Sequence, residues 1–190
     1  MEINKFVKTF DNVLSVPTCK KFLRVKDKFF IEEDGLVGGC NEKKPEIRKV
    51  SVHHTSGRDW KTKTEVHWNN FFVHHFVNLV SKLYLKPFKE ELSLGFDIID
   101  MQYLTYRDND FYVDHIDASA VNNRALTCLL MLNDDFDGGE LCVNDPYGGT
   151  TKTIQPKSGR CTIFPSNFMF PHNVRPVTRG VRYTIVAWFA

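Results

Sequence analysis

The feature that most narrows the fold of this chain is a change of period at residue 94. Beyond it, apolar residues no longer recur at three- and four-residue spacing. Instead "FDIIDMQYLTY", "RALTCLLMLN", "GELCVN", "TTKTIQP", "RCTIFP" and "RYTIVAWFA" follow as short runs rich in β-branched and aromatic residues. Turn signals such as "DDFDGG", "DPYGG" and "PKSG" separate them. Strands at this spacing with no helices between them predict an antiparallel sandwich or barrel.

The first half carries the opposite period. "LSVPTCKKFLRVKDKFF" offers Ser15 as an N-cap and Pro17 in the first turn of a helix. A second helix is expected after Thr64, where Trp68, Phe72, Phe76, Leu79, Val80 and Leu83 form one apolar face and Pro87 ends it. Residues 34–59, with Gly35, Gly38, Gly39, Pro45 and Gly57, read as loop with one strand around "IRKVSVHH". With no internal repeat or low-complexity linker, the chain reads as a single domain over 1–190. Residues 1–92 form a helical support with a loop, and 93–190 form the β core.

A formal charge of +2 over 190 residues argues against a nucleic-acid partner or an anionic membrane. Residues 1–92 hold 17 Lys and Arg against 12 Asp and Glu, a surplus expected on solvated helix surfaces. The five cysteines form no Cys-x-x-Cys pair, and Cys128, Cys142 and Cys161 lie inside apolar runs, as free buried thiols would. Together with the lack of an apolar leader-like stretch in "MEINKFVKTF", this predicts a cytoplasmic, non-membrane protein.

In "FYVDHIDAS" the pair His115 and Asp117 is spaced so that an extended chain presents both to one side, while Asp114 alternates away. A third ligand is available downstream in His172 of "FPHNVRP". Two imidazoles and one carboxylate on one face of an octahedron leave three positions open, the arrangement suited to non-haem Fe(II) oxygenases. Zinc sites more often add a third His or a Cys. The sequence has no His-Glu-x-x-His motif. Arg182 opens the apolar strand "RYTIVAWF", where a buried guanidinium needs an anionic partner such as one end of a dicarboxylate. The paired histidines His53/His54 and His74/His75, and His67, are expected at the surface or the edge of the core.

The string His115-x-Asp117, then "DFDGGEL", then "PHNVRPVTRGVRYTIVAWF", resembles the iron(II)- and 2-oxoglutarate-dependent dioxygenases, in particular their prolyl 4-hydroxylase-like branch. The opening "FDNVLSVPTCKKFL" is similar to that branch as well. The resemblance implies a mostly β fold with N-terminal helices around a double-stranded β-helix, a jelly roll of the cupin kind. It further implies that His115, Asp117 and His172 hold Fe(II), and that Arg182 binds the far carboxylate of 2-oxoglutarate. Tyr106 would line the co-substrate pocket, Tyr112 would pack beside the first ligand, and Trp188 would lie near the metal. Gly138 and Gly139 would make a tight turn, leaving Glu140 a structural role. Two departures stand out: Met131 where some relatives have a second tyrosine, and "RDND" in place of a glycine-rich link before the ligand pair.

The expected activity is hydroxylation of an unactivated C–H, foremost in a prolyl residue of a peptide or protein. O2 and 2-oxoglutarate would be consumed, with ascorbate as an optional reductant. A free amino acid or other small molecule is the alternative substrate. From a different class comes a metal- and 2-oxoglutarate-binding module without turnover. The stretch "SVHHTSGRDWKTK" is weakly similar to a substrate-covering loop of that branch, and the sequence does not tell whether 34–63 closes over substrate.

Overall fold

The computed structural model describes residues 3–37, 42–55, 62–88, 90 and 94–190. A short 3-10 turn, Ile3–Phe6, leads into strand β1, Lys8–Phe10. Helix α1, Val16–Phe29, starts where the sequence predicts: Ser15 accepts from the Thr18 amide and Pro17 occupies the first turn. Strands β2 (Glu33–Asp34), β3 (Arg48–Lys49) and β4 (Ser51–His54) follow. The segment expected to be mainly loop thus contributes to both sheets. Helix α2, Lys63–Leu79, begins two residues earlier than the pattern suggested. Its cap is Thr62, whose hydroxyl accepts from the Glu65 amide and donates to the Glu65 carboxylate. Beyond Leu79 the helix widens into a π turn, Val80–Tyr84, which rotates Leu83 outward to 42% exposure and out of the expected core face.

The remaining strands are β5 (Ile98–Tyr106), β6 (Phe111–His115), β7 (Leu126–Met131), β8 (Asp137–Gly138) and β9 (Leu141–Asn144). They continue with β10 (Thr150–Ile154), β11 (Cys161–Pro165), β12 (His172–Val174), β13 (Val177–Arg179) and β14 (Arg182–Phe189). They form a seven-stranded sheet, β1-β11-β7-β14-β5-β4-β2, and a five-stranded sheet, β10-β9-β12-β6-β3. A small β13-β8 ribbon completes the set, and the strand pairings among the described residues are antiparallel. This is the jelly-roll architecture.

Alternation along the large sheet decides where the site lies. On β14, Tyr183, Ile185, Ala187 and Phe189 face the helices, joining Phe22, Trp68, Phe72 and Phe76 in the main apolar core. The intervening Val186 and Trp188 join Leu104 and Tyr106 of β5 in a separate cluster on the opposite face. The helices therefore seal one face and leave the other to a cavity between the sheets.

Candidate metal centre

His115 ends β6 and His172 begins β12; the two are paired across the strands. Register alone places their rings together, with centroids 4.2 Å apart. Asp117 is not on the strand. The chain bends after His115, and Asp117 returns its carboxylate from the next loop, with Oδ1 3.7 Å from His115 Nε2 and Oδ2 3.4 Å from His172 Nε2. One ligand atom from each of the three residues falls within 4.8 Å of the others. The strand-spacing rationale for the pair is thus corrected: the convergence comes from cross-strand pairing and a bend.

Both histidines are oriented for metal binding. His115 Nδ1 lies 2.9 Å from the Val113 carbonyl and His172 Nδ1 lies 3.1 Å from the Phe170 carbonyl. A carbonyl only accepts, so each Nδ1 carries the proton and each Nε2 presents a lone pair. Burial and the neighbouring His172 hold the His115 pKa down to about 3, so its imidazole is neutral at physiological pH. Burial works against the charge of Asp117, but the two imidazoles outweigh it and keep the carboxylate ionised. For His172, burial is outweighed by the Asp117 carboxylate, which raises its pKa.

The triad opens on a cavity of about 670 Å³. Tyr112 lines it and stacks on His115 with centroids 3.5 Å apart, so this packing residue also fixes a ligand ring. Trp188 forms another wall, with the Arg124 guanidinium 3.6 Å over its ring. Arg48 of β3 lies 4.9 Å over Tyr112 and donates to the Leu36 carbonyl. Asp114 is not part of the ligand cluster, although it too lines the cavity; it accepts from Asn144 and Asn173 and so ties β6 to β9 and β12.

Arg182 is fully buried. Its Nη1 donates to Thr184 Oγ1 at 2.5 Å, and its guanidinium lies 4.8 Å over the Tyr106 ring. Nε and Nη2 have no hydrogen-bond partner, and no carboxylate pairs with the group among the described residues. Burial lowers its pKa to about 10, partly offset by Tyr106, so the group remains cationic. Two orphaned donors in a planar fork are a fit for a carboxylate. Tyr106 itself borders the cavity, whereas Arg182 lies behind its ring. The glycine turn explains the close packing here: Gly139 has φ +64, and a Cβ on it would lie 2.9 Å from Arg182 Cδ. Met131, the departure noted above, is buried in an apolar cluster with Leu129, Phe136 and Leu141.

Among the other histidines, His53 proves to be buried on β4, stacked on Tyr103, with Nδ1 2.8 Å from the Ile31 carbonyl. His54 lines the cavity. Sequence reasoning missed Thr127 and Ser166, buried hydroxyls beside Asp117, and Arg124 and Arg48 in the cavity wall. The only signal for Thr127 was a hydroxyl inside the apolar run "ALTCLLM". The segment "SGRDWK", the tip of the suggested covering loop, falls outside the described residues.

Residues 101–190 match the family described as the 2OG-Fe(II) oxygenase superfamily. The chain is similar to mouse prolyl 3-hydroxylase 2, at 45% identity over 67 residues; these are 35% of this chain but only 10% of the length of that relative. Two solved structures share the fold across nearly all of the chain. A prolyl-4-hydroxylase from Pseudomonas putida superposes with a TM-score of 0.69 at 19% identity, covering 97% of this chain and 92% of that one. A prolyl hydroxylase from Trichoplax adhaerens, solved with a peptide of the hypoxia inducible factor oxygen degradation domain, gives 0.73 at 19% identity, covering 100% and 87%. The similarity in sequence thus lies over residues 101–190 with the oxygenase superfamily, and the likeness to these prolyl hydroxylases is one of fold.

Proposed function

We propose that this chain, whose residues 101–190 carry the 2OG-Fe(II) oxygenase match, hydroxylates a C–H of a prolyl residue in a peptide or protein. The observation that carries this reading is the conjunction of the His115–Asp117–His172 cluster, on the wall of an aromatic-lined cavity, with a buried, half-unpaired Arg182. We assign Fe(II) to the three clustered side chains and the distal carboxylate of 2-oxoglutarate to Arg182, with Tyr106 beside it. The bound iron, O2 and 2-oxoglutarate would supply an oxidative decarboxylation in which one oxygen atom ends in succinate, with CO2 released, and the other in the hydroxylated product.

The chain's own contribution is orientation and exclusion of water. The carbonyls of Val113 and Phe170 fix both imidazole tautomers, and Tyr112 holds the His115 ring flat. Between Tyr112 and Trp188 the cavity offers aromatic walls suited to a compact apolar ring such as pyrrolidine. No protein nucleophile is needed. A second reading, a free amino acid as substrate, is favoured by Arg124 and Arg48, two cations in the cavity wall able to take a free carboxylate. The four described free cysteines, all buried, support a reducing, cytoplasmic setting.

The test is release of succinate and labelled CO2 from 2-oxoglutarate with Fe(II) and ascorbate. Mass spectrometry would follow for a gain of one oxygen in proline-rich peptides. Turnover stimulated by peptide is expected, and chelation of the metal or His172→Ala should remove it. Tight metal binding without turnover on any peptide or amino acid would favour the non-catalytic binder.

A further inference from the structure

We propose that Thr127, itself held by Ser166, is a positioning residue that keeps Asp117 a one-oxygen metal ligand. This rests on the iron reading of the site but concerns residues outside the triad.

Thr127 on β7 is 1% exposed and Ser166, just after β11, is fully buried. Thr127 Oγ1 lies 2.7 Å from Asp117 Oδ2 and 2.8 Å from Ser166 Oγ. A hydroxyl has one proton. An ionised carboxylate can only accept, so the Thr127 proton is committed to Asp117, and the contact between the two hydroxyls must run from Ser166 to Thr127. The direction of the whole relay is fixed: Ser166 O–H to Thr127 O–H to Asp117 Oδ2. Each link strengthens the next by polarisation in a buried setting.

Ser166 also acts through its backbone. Its amide donates to the Ala125 carbonyl at 2.9 Å, and its carbonyl accepts from the Ala118 amide at 3.0 Å. One residue therefore closes both ends of the loop that carries Asp117 off β6 and onto β7. This supplies what the bend after His115 took away, a fixed position for a carboxylate no longer on a strand.

The consequence for coordination follows from which oxygen is held. Oδ2 is engaged by the hydroxyl, whereas Oδ1, 3.7 Å from His115 Nε2, is engaged by neither hydroxyl. Chelation of one metal through both oxygens would make Oδ2 share its electron density between the metal and the Thr127 proton, which weakens it as a second metal ligand relative to Oδ1. With a single oxygen and two imidazole nitrogens the protein occupies three positions and leaves three. A bidentate Asp117 would leave two, too few for a chelating keto acid together with O2.

The experiment is titration of the full chain, without co-substrate, with Co(II) as a spectroscopic stand-in, following d–d absorption. Thr127→Val keeps the shape and removes the donor. It should weaken Co(II) binding by about 10–100-fold and alter the band pattern through a change in coordination. Thr127→Ser should restore both, and Ser166→Ala should fall between. Should Thr127→Val not fold, Ser166→Ala carries the same comparison, with a smaller loss expected. Wild-type affinity and spectrum in a folded Thr127→Val, or in Ser166→Ala where that is the variant measured, would overturn the proposal while leaving the iron site standing. No Co(II) binding by the wild-type chain would overturn both.

Discussion

A single buried guanidinium sets the residue scale. Arg182 has no exposed surface, one hydroxyl partner and two orphaned donors, an arrangement that costs stability for as long as no anion meets it. Its removal should therefore act in opposite directions on binding and folding. Arg182→Leu should raise the 2-oxoglutarate concentration for half-maximal turnover by about 10–100-fold, the worth of a charge-assisted fork at about 1.5–3 kcal/mol. Without co-substrate the same variant should match or exceed the wild type in resistance to urea, because the unpaired charge is gone. An unchanged 2-oxoglutarate requirement would reject the role given to Arg182. Arg182 stood out as a candidate in the sequence because a cation at the head of an apolar strand is conspicuous. The Thr127 hydroxyl did not, since one threonine in a β run is ordinary and only the fold brings Asp117 to it.

At the scale of elements, the strands of the second half were readable because each alternates or runs apolar between glycine-rich turns. The short ones, β1, β2, β8, β12 and β13, were not, and β3 was readable only as one strand together with β4. Two or three residues carry no period, and their pairing comes from neighbours. The connection out of α1 shows what holds such pieces. Glu32 accepts from Lys26 and Thr105, and pairs with Arg107 at 2.8 Å, so the segment entering β2 is clipped to β5. Lys26 is buried to 3% exposure and depends on this carboxylate. Burial opposes the charge of Glu32, but the donors of Arg107, Lys26 and Thr105 prevail and bring its pKa down to about 2 from 4.5. The folded value lies below the unfolded one, so this stabilisation is complete above the unfolded value and lost as pH falls toward the folded value. Glu32→Gln should lower stability by about 2–4 kcal/mol at pH 7. Urea denaturation of the two proteins at a series of pH values should show the gap closing between about pH 5 and 2. A gap independent of pH would assign the loss to packing rather than charge.

Across the whole molecule, the helices and the large sheet share one core, from which unfolding as a single unit is the expected behaviour. Phe22 of α1 touches three aromatic rings from two other elements: Trp68 at 5.1 Å and Phe72 at 4.8 Å on α2, and Tyr103 at 5.2 Å on β5. Tyr103 stands back to back with the cavity-lining Gln102 and Leu104 on β5, so the sheet that forms the cavity wall is the same sheet the helices cover. Removing the helices would bare the apolar face carrying Met101, Tyr103, Leu130, Ile185 and Phe189. Sequence periodicity showed that both halves had an apolar face, but not that each was the other's partner, because contact between distant segments leaves no local pattern. Two results should follow. Urea unfolding of the intact chain should give coincident transitions by tryptophan fluorescence, dominated on the helical side by Trp68, and by far-ultraviolet circular dichroism, dominated by the strands. Phe22→Ala should shift both together by about 3–5 kcal/mol, a large part of a typical domain's stability. If fluorescence alone moved and the strand signal kept its midpoint, the helical half would be a separable unit and the site would not depend on it.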